Sequence, residues 1–81
     1  MTRDTVFDIV KSNITAVLPE VGNDQIQGHM QLRDLGADSI DRADISTSAM
    51  EELNLELPLV ELGKPNTIGE LVDLLYEHAS K

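Results

Sequence analysis

The feature that most constrains the fold is the apolar pattern, which repeats at the 3.6-residue period of an α-helix in separate stretches of the chain. The clearest is a predicted helix over about residues 4–18, which Pro19 should end. Its apolar stripe consists of Val6, Val10, Ile14, Val17 and Leu18. The strict alternation of apolar and polar residues that favours a β-strand occurs nowhere in the sequence. The pattern therefore predicts an all-α fold.

Two further main helices are marked by residues that cap helix N-termini. Asp38 followed by Asp41 predicts a helix from about residue 38 to residue 54, although its apolar stripe is thin. Thr67 followed by Glu70 forms a capping box that predicts a last helix. The stripe of the 38–54 helix is Ile45, Ala49 and Leu53 with Met50, and that of the last helix is Ile68, Leu71, Val72, Leu75 and Ala79.

Between the first two helices, residues 19–38 show no long period, and we expect a loop there. Ile26, Leu32 and Leu35 are its candidate core anchors, the last two on a short helical turn. A short helical or irregular segment is also expected between Pro58 and Gly63, where the apolar residues are Leu59, Val60 and Leu62. The prediction is one domain over residues 1–81, a small bundle of three main helices and one short helix with a long first loop.

Composition excludes several classes of function. The chain has 15 acidic and six basic residues, no cysteine, no tryptophan and two aromatic residues. A net charge of −9 repels nucleic acids and anionic membranes, so we expect a basic partner. No stretch has the length of a membrane span or the pattern of a signal peptide, which makes the cytoplasm the expected compartment.

Catalytic and metal-binding patterns are also missing from the sequence. The two histidines, His29 and His78, have no neighbour that resembles a nucleophile partner, and their simplest interpretation is solvated surface. A calcium loop starting at Asp34 would need glycine at its sixth position and glutamate at its twelfth, which are Ser39 and Ile45. We therefore expect no catalytic residue and no metal site.

Acidic residues are concentrated between positions 34 and 61, where Arg42 is the single basic residue. The acids are Asp34, Asp38, Asp41, Asp44, Glu51, Glu52, Glu56 and Glu61. Such a run is often only a solvated face, but like charges three apart also weaken a helix. Solubility and docking onto a basic partner therefore both remain open as explanations.

Ser39 follows the long loop and opens the most acidic helix. A serine at this place is usually just a cap. Its hydroxyl should nevertheless be displayed at the junction of loop and helix, with no base beside it. That position suits the acceptor of a modification made by another enzyme better than a catalyst.

At these residues the sequence resembles the acyl carrier proteins, whose Leu-Gly-x-Asp-Ser-Leu signature reads Leu35-Gly36-Ala37-Asp38-Ser39-Ile40 here. The resemblance extends over essentially the whole chain. It implies a non-catalytic carrier with a covalent 4′-phosphopantetheine arm on Ser39, derived from coenzyme A by a phosphopantetheinyl transferase. It also implies candidate partner contacts at Asp38, Ile40, Asp41, Arg42, Ala43, Asp44, Thr47, Glu51, Glu52 and Leu62.

A narrower resemblance is carried by Asp-Ser-Ile-Asp-Arg-Ala at residues 38–43 and Pro-Leu-Val-Glu at residues 58–61. Both are similar to the freestanding donor carriers of polyketide β-branching cassettes. This implies that acetyl, made from malonyl, is delivered to an HMG-CoA-synthase-like enzyme, with an acyltransferase and a ketosynthase-like decarboxylase as further partners of a monomeric carrier. A general fatty-acid or polyketide carrier and a non-covalent acidic interaction module remain alternatives. Leu59, Val60 and Leu62 could cover the core or contact a partner or acyl group.

Overall fold

The computed structural model describes residues 2–79. The secondary structure of this part of the chain is helical. The four α-helices are α1 (Arg3–Val17), α2 (Ser39–Leu53), α3 (Leu59–Leu62) and α4 (Ile68–Ala79). Two short 3₁₀ turns, Asn23–Gln25 and Leu32–Leu35, lie in the connection between α1 and α2. With no strand between residues 2 and 79, the predicted all-α bundle with a long first loop is confirmed.

The core lies where α1 packs against both α2 and α4. Most residues of the predicted apolar stripes point into this core, because residues three and four apart share one side of a helix. Fully buried side chains are Val6, Val10, Ile14, Ile45, Ala49, Ile68, Val72 and Leu75. Within the stripe of α1, Val17 is only partly buried.

Both predicted capping pairs are present. Asp38 is the N-cap of α2, since its carboxylate accepts the amide hydrogen of Asp41 across 2.8 Å. The carboxylate of Asp41 accepts the amide hydrogen of Asp38 in return, across 3.3 Å. At α4, the Thr67 hydroxyl accepts the Glu70 amide across 3.1 Å, and the Glu70 carboxylate accepts the Thr67 amide across 2.9 Å. These bonds satisfy amides that lack a partner within their own helices.

The long loop is attached to the start of α4 by its backbone. The amide of Ile68 donates to the Met30 carbonyl oxygen, and the amide of Gly69 donates to the Gly28 carbonyl oxygen, both across 2.8 Å. Ile26 is buried as predicted, and Leu32 and Leu35 are partly buried on a 3₁₀ turn. Two further anchors, Val21 and Ala37, are buried although the sequence pattern did not single them out.

Asn13 is a buried polar residue that lies off the predicted apolar stripe. Its side chain is 7% exposed between α1 and α2. Its Nδ2 donates to the Ile9 carbonyl oxygen across 2.8 Å and to a Glu52 carboxylate oxygen across 3.3 Å. These bonds compensate for the loss of water, since a buried polar group without a partner is costly.

The apolar residues around α3 divide between the core and solvent. Leu62 is half-buried and packs against the core, whereas the side chain of Val60 is 71% exposed. Core cover is therefore wrong for Val60 and right for Leu62. The side chain of Leu59 lies outside the described part of the structure.

Candidate functional site

Ser39 is the first residue of α2, and it is exposed. The chain reaches it through a tight turn at Gly36, whose φ of 96° is a conformation that favours glycine. Next to it, Ala37 is buried, and its amide donates to the Leu32 carbonyl oxygen across 3.2 Å. These local constraints fix the backbone that precedes the serine, and the hydrogen bonds between Asp38 and Asp41 hold the residues on either side of it.

A groove of about 270 Å³ begins at Ser39 and runs between the long loop, α2, α3 and the start of α4. Its lining consists of Gln31, Leu32, Arg33, Ser39, Arg42, Ala43, Ser46, Leu62, Gly63, Pro65, Asn66, Thr67 and Leu71. Among the described residues, no carboxylate belongs to this lining, although the chain has 15 acids. An anionic group on the serine would therefore meet no negative charge from the groove wall.

The outward side of α2 carries a stripe of exposed residues at helical spacing, which we call the outer face. Its members are Ile40, Ala43, Asp44, Thr47 and Glu51. Their spacing of three and four residues places them together opposite the buried Ile45 and Ala49. Ile40 is 72% exposed, so an apolar side chain is available at the end of the stripe next to Ser39.

The remaining residues suggested as partner contacts lie elsewhere. Arg42 and Leu62 line the groove. Asp38 and Asp41 cap α2 through each other's amides. Glu52 is exposed but lies on the α1 side of the helix, where its carboxylate accepts the Asn13 hydrogen bond. The structure thus divides the predicted contacts among an outer face, a groove, a helix cap and the α1 side of α2.

No described residue gives the Ser39 hydroxyl the surroundings of a catalytic nucleophile. Neither histidine lines the groove, and His29 is exposed in the loop. Within residues 2–79 no three side chains of metal-binding type come together. None of the helices described has the length and apolarity needed to cross a membrane. An exposed hydroxyl that lacks its own base can be modified when another enzyme supplies the base.

The site fits the phosphopantetheine arm that the sequence resemblance implies. The Ser39 side chain is accessible for esterification, and the adjoining groove offers apolar side chains such as Leu62 and Leu71 together with cationic and amide groups. The arm is a phosphodiester followed by a partly apolar chain, so its phosphate suits the cationic groups and its chain suits the apolar side chains of the groove.

Comparison with known proteins also indicates a protein that carries a phosphopantetheine arm. Residues 8–75 match the family described as "Phosphopantetheine attachment site". Polyketide biosynthesis acyl-carrier-protein AcpK of Bacillus subtilis (strain 168) is 42% identical over 77 residues, which cover 95% of this chain and 94% of that protein. An acyl carrier protein of Clostridium perfringens (strain 13 / Type A) is 34% identical, covering 94% of this chain and all of its own.

Among solved structures, a chain from the crystal structure of the curacin biosynthetic pathway HMG synthase in complex with acetyl donor-ACP is similar to this fold. The two chains superpose with a TM-score of 0.86, are 36% identical and cover each other completely. The chain therefore belongs to the acyl carrier proteins, a family whose prosthetic group is 4′-phosphopantetheine.

Proposed function

We propose that this protein is the donor carrier of a β-branching step in polyketide biosynthesis. It carries acetyl, made from malonyl, as a thioester on an arm attached to Ser39 and delivers it to an HMG-CoA-synthase-like enzyme. The observation that supports this most is the full-length similarity to the chain found with an HMG synthase. The similarity to a polyketide carrier of Bacillus subtilis supports the same type of pathway.

Ser39 is the residue that we expect to hold the arm. It is exposed at the start of α2 and opens onto the groove. The arm supplies a thiol that holds the acyl group as a reactive thioester. The protein positions this thioester and brings it to successive enzymes, so that reaction within a docked complex replaces free encounter. No catalytic role is assigned to the chain.

The outer face of α2 is the proposed docking surface for these enzymes. Asp44 and Glu51 give it negative charge, and Ile40 gives it an exposed apolar side chain beside Ser39. Charges on the rim of an interface mainly increase the encounter rate and select the partner, so the matching enzyme surfaces should carry lysine and arginine. Val60 on α3 is a second exposed apolar side chain available to a partner.

Besides the HMG-CoA-synthase-like enzyme, the proposed partners are a phosphopantetheinyl transferase, an acyltransferase and a ketosynthase-like decarboxylase. The transferase would attach the arm, the acyltransferase would load malonyl, and the decarboxylase would convert malonyl to acetyl. We expect the protein to act as a monomeric carrier domain in the cytoplasm.

The donor role can be tested by comparing two classes of enzyme that receive the same acetyl-loaded protein. One is an HMG-CoA-synthase-like enzyme from a β-branching pathway, and the other is a fatty-acid elongation enzyme. The Clostridium perfringens carrier serves as the matched control, loaded in the same way. We expect the synthase-like enzyme to prefer this protein and the elongation enzyme to prefer the control. Equal use by both enzymes would contradict the donor role and leave a general acyl carrier.

A further inference from the structure

The groove next to Ser39 has the opposite charge to the rest of the protein. The whole chain has 15 acids and six bases, yet the described lining contains Arg33 and Arg42 and no acid. Both arginines are exposed, and neither takes part in the ion pairs found among residues 2–79, which join Arg3 to Asp73 and Lys64 to Glu61. Two guanidinium groups are thus available at the groove that adjoins Ser39, where the arm would carry a negatively charged phosphodiester.

The two arginines reach this groove from different elements. Arg42 lies three residues after Ser39 and therefore on the same side of α2, while Arg33 comes from the 3₁₀ turn of the long loop. The acids nearest in sequence to Ser39 are Asp38 and Asp41, which accept each other's amide hydrogens outside the lining. An anion on Ser39 would be repelled by these two carboxylates and attracted by the arginines.

We propose that Arg33 and Arg42 bind the phosphodiester formed at Ser39 and thereby hold the arm along the groove between encounters with enzymes. This inference rests on the proposed attachment of the arm to Ser39. Guanidinium groups bind phosphate oxygens through paired, charge-assisted hydrogen bonds. Beyond the phosphate, the gem-dimethyl group of the arm would contact Leu62 and Leu71.

Because both arginines are exposed, each contact is weak enough to be reversible. An exposed ion pair changes an equilibrium by only about two- to five-fold. The arm would thus exchange between the groove and solvent, and an enzyme could capture it without breaking a stable complex. The carrier would shield its cargo partly and still release it on docking.

NMR spectroscopy of the arm in the partner-free holo protein tests this directly. The samples are wild type, Arg33→Gln, Arg42→Gln and the double variant, each with an isotope-labelled arm. Lys11→Gln is the matched control, because it removes one positive charge on α1 outside the groove. The readouts are the ³¹P shift, the ¹⁵N relaxation of the arm amides, and nuclear Overhauser effects between arm methyls and Leu62 or Leu71.

We expect these Overhauser effects in wild type and in Lys11→Gln. The ratio of bound to free arm should decrease about two- to five-fold for each arginine removed, and it should decrease further in high salt. An arm that is fully mobile in wild type, or unaffected in the double variant, would overturn the inference. Intact mass separates the two proposals: a protein that carries no arm contradicts both, whereas a loaded protein with a free arm contradicts only this one.

A malonyl thioester offers a second anion, its terminal carboxylate. The same measurements on the holo, acetyl and malonyl forms distinguish the two sources. Binding of the phosphodiester predicts the same dependence on Arg33 and Arg42 in all three forms. Dependence in the malonyl form alone would assign the arginines to the carboxylate and overturn the phosphodiester contact.

Discussion

The backbone amide of Gly69 at the start of α4 donates a 2.8 Å hydrogen bond to the carbonyl oxygen of Gly28 in the long loop. At this close approach there is room for a side chain at position 28 but not at position 69. A Cβ atom on Gly69 would lie 2.9 Å from the Gly28 carbonyl oxygen. A Cβ atom on Gly28 would lie 3.8 Å from the Gly69 Cα, which is ordinary van der Waals contact.

Gly69→Ala should therefore destabilise the protein, because the loop must move away from α4 to admit the methyl group. Overpacking of this kind typically costs about 1–3 kcal/mol. Gly28→Ala is the matched control and should change the free energy of unfolding by less than about 0.5 kcal/mol. Urea unfolding at equilibrium measures both. Equal stability of the two variants would show that the loop does not depend on this contact.

Glu70 predicts a pH dependence of stability. The backbone amides of Thr67 and Asn66 donate to its carboxylate and hold the pKa of Glu70 below its usual value. A carboxylate with a lowered pKa in the folded state stabilises the protein above its unfolded pKa of about 4.3. This contribution is lost as the pH falls through the lower, folded pKa.

The charge-removing substitution Glu70→Gln should consequently lower the melting temperature at pH 7. The difference from wild type should shrink as the pH falls below about 4.3 and through the lower, folded pKa, because wild type then loses the same charge. Glu77→Gln, at an exposed position on the same helix, is the control for the removal of one negative charge and should lower the melting temperature at pH 7 less. A difference between wild type and Glu70→Gln that is constant with pH would contradict the assigned role of the charge.

Glu51 and Glu52 are neighbours in sequence that should differ in function. Glu51 lies on the outer face, whereas Glu52 lies on the α1 side and accepts a hydrogen bond from Asn13. Glu51→Lys should slow acetyl transfer at low salt with little effect on folding, because it reverses a charge on the proposed docking surface. Glu52→Lys should lower the free energy of unfolding, because Asn13 loses its carboxylate partner.

Transfer kinetics at low and moderate salt, together with urea unfolding, separate these effects. If both variants transferred acetyl at the wild-type rate, the outer face of α2 would not be the docking surface. The opposite pattern, with Glu52→Lys as the slower donor, would move that surface to the α1 side of the helix.

The helices could be predicted from sequence because their signals are local. The stripe around Ile14, the capping pair of Asp38 and Asp41 and the capping box at Thr67 each depend on residues within one helix, and all three were confirmed. Asn13 was not predicted to be buried, because its partner Glu52 lies 39 residues away. The anchoring role of Val21 likewise depends on which elements pack over the loop, which no local pattern encodes.

The candidate site could be predicted only where its signals are local. Ser39 could be singled out from the loop–helix junction and from the signature around it, and it is exposed in the structure. The groove could not be foreseen, because Arg33, Leu62 and Leu71 come from three separate elements. The different surroundings of Glu51 and Glu52 also appear only once α1 is packed against α2.

The most direct test of the carrier function is the intact mass of the protein after incubation with a phosphopantetheinyl transferase and coenzyme A. We predict the addition of one phosphopantetheine group to wild type and to Ser12→Ala, which alters another exposed serine. Ser39→Ala should remain unmodified. An unmodified wild type beside a carrier that the same enzyme does modify, or a modified Ser39→Ala, would contradict attachment at Ser39.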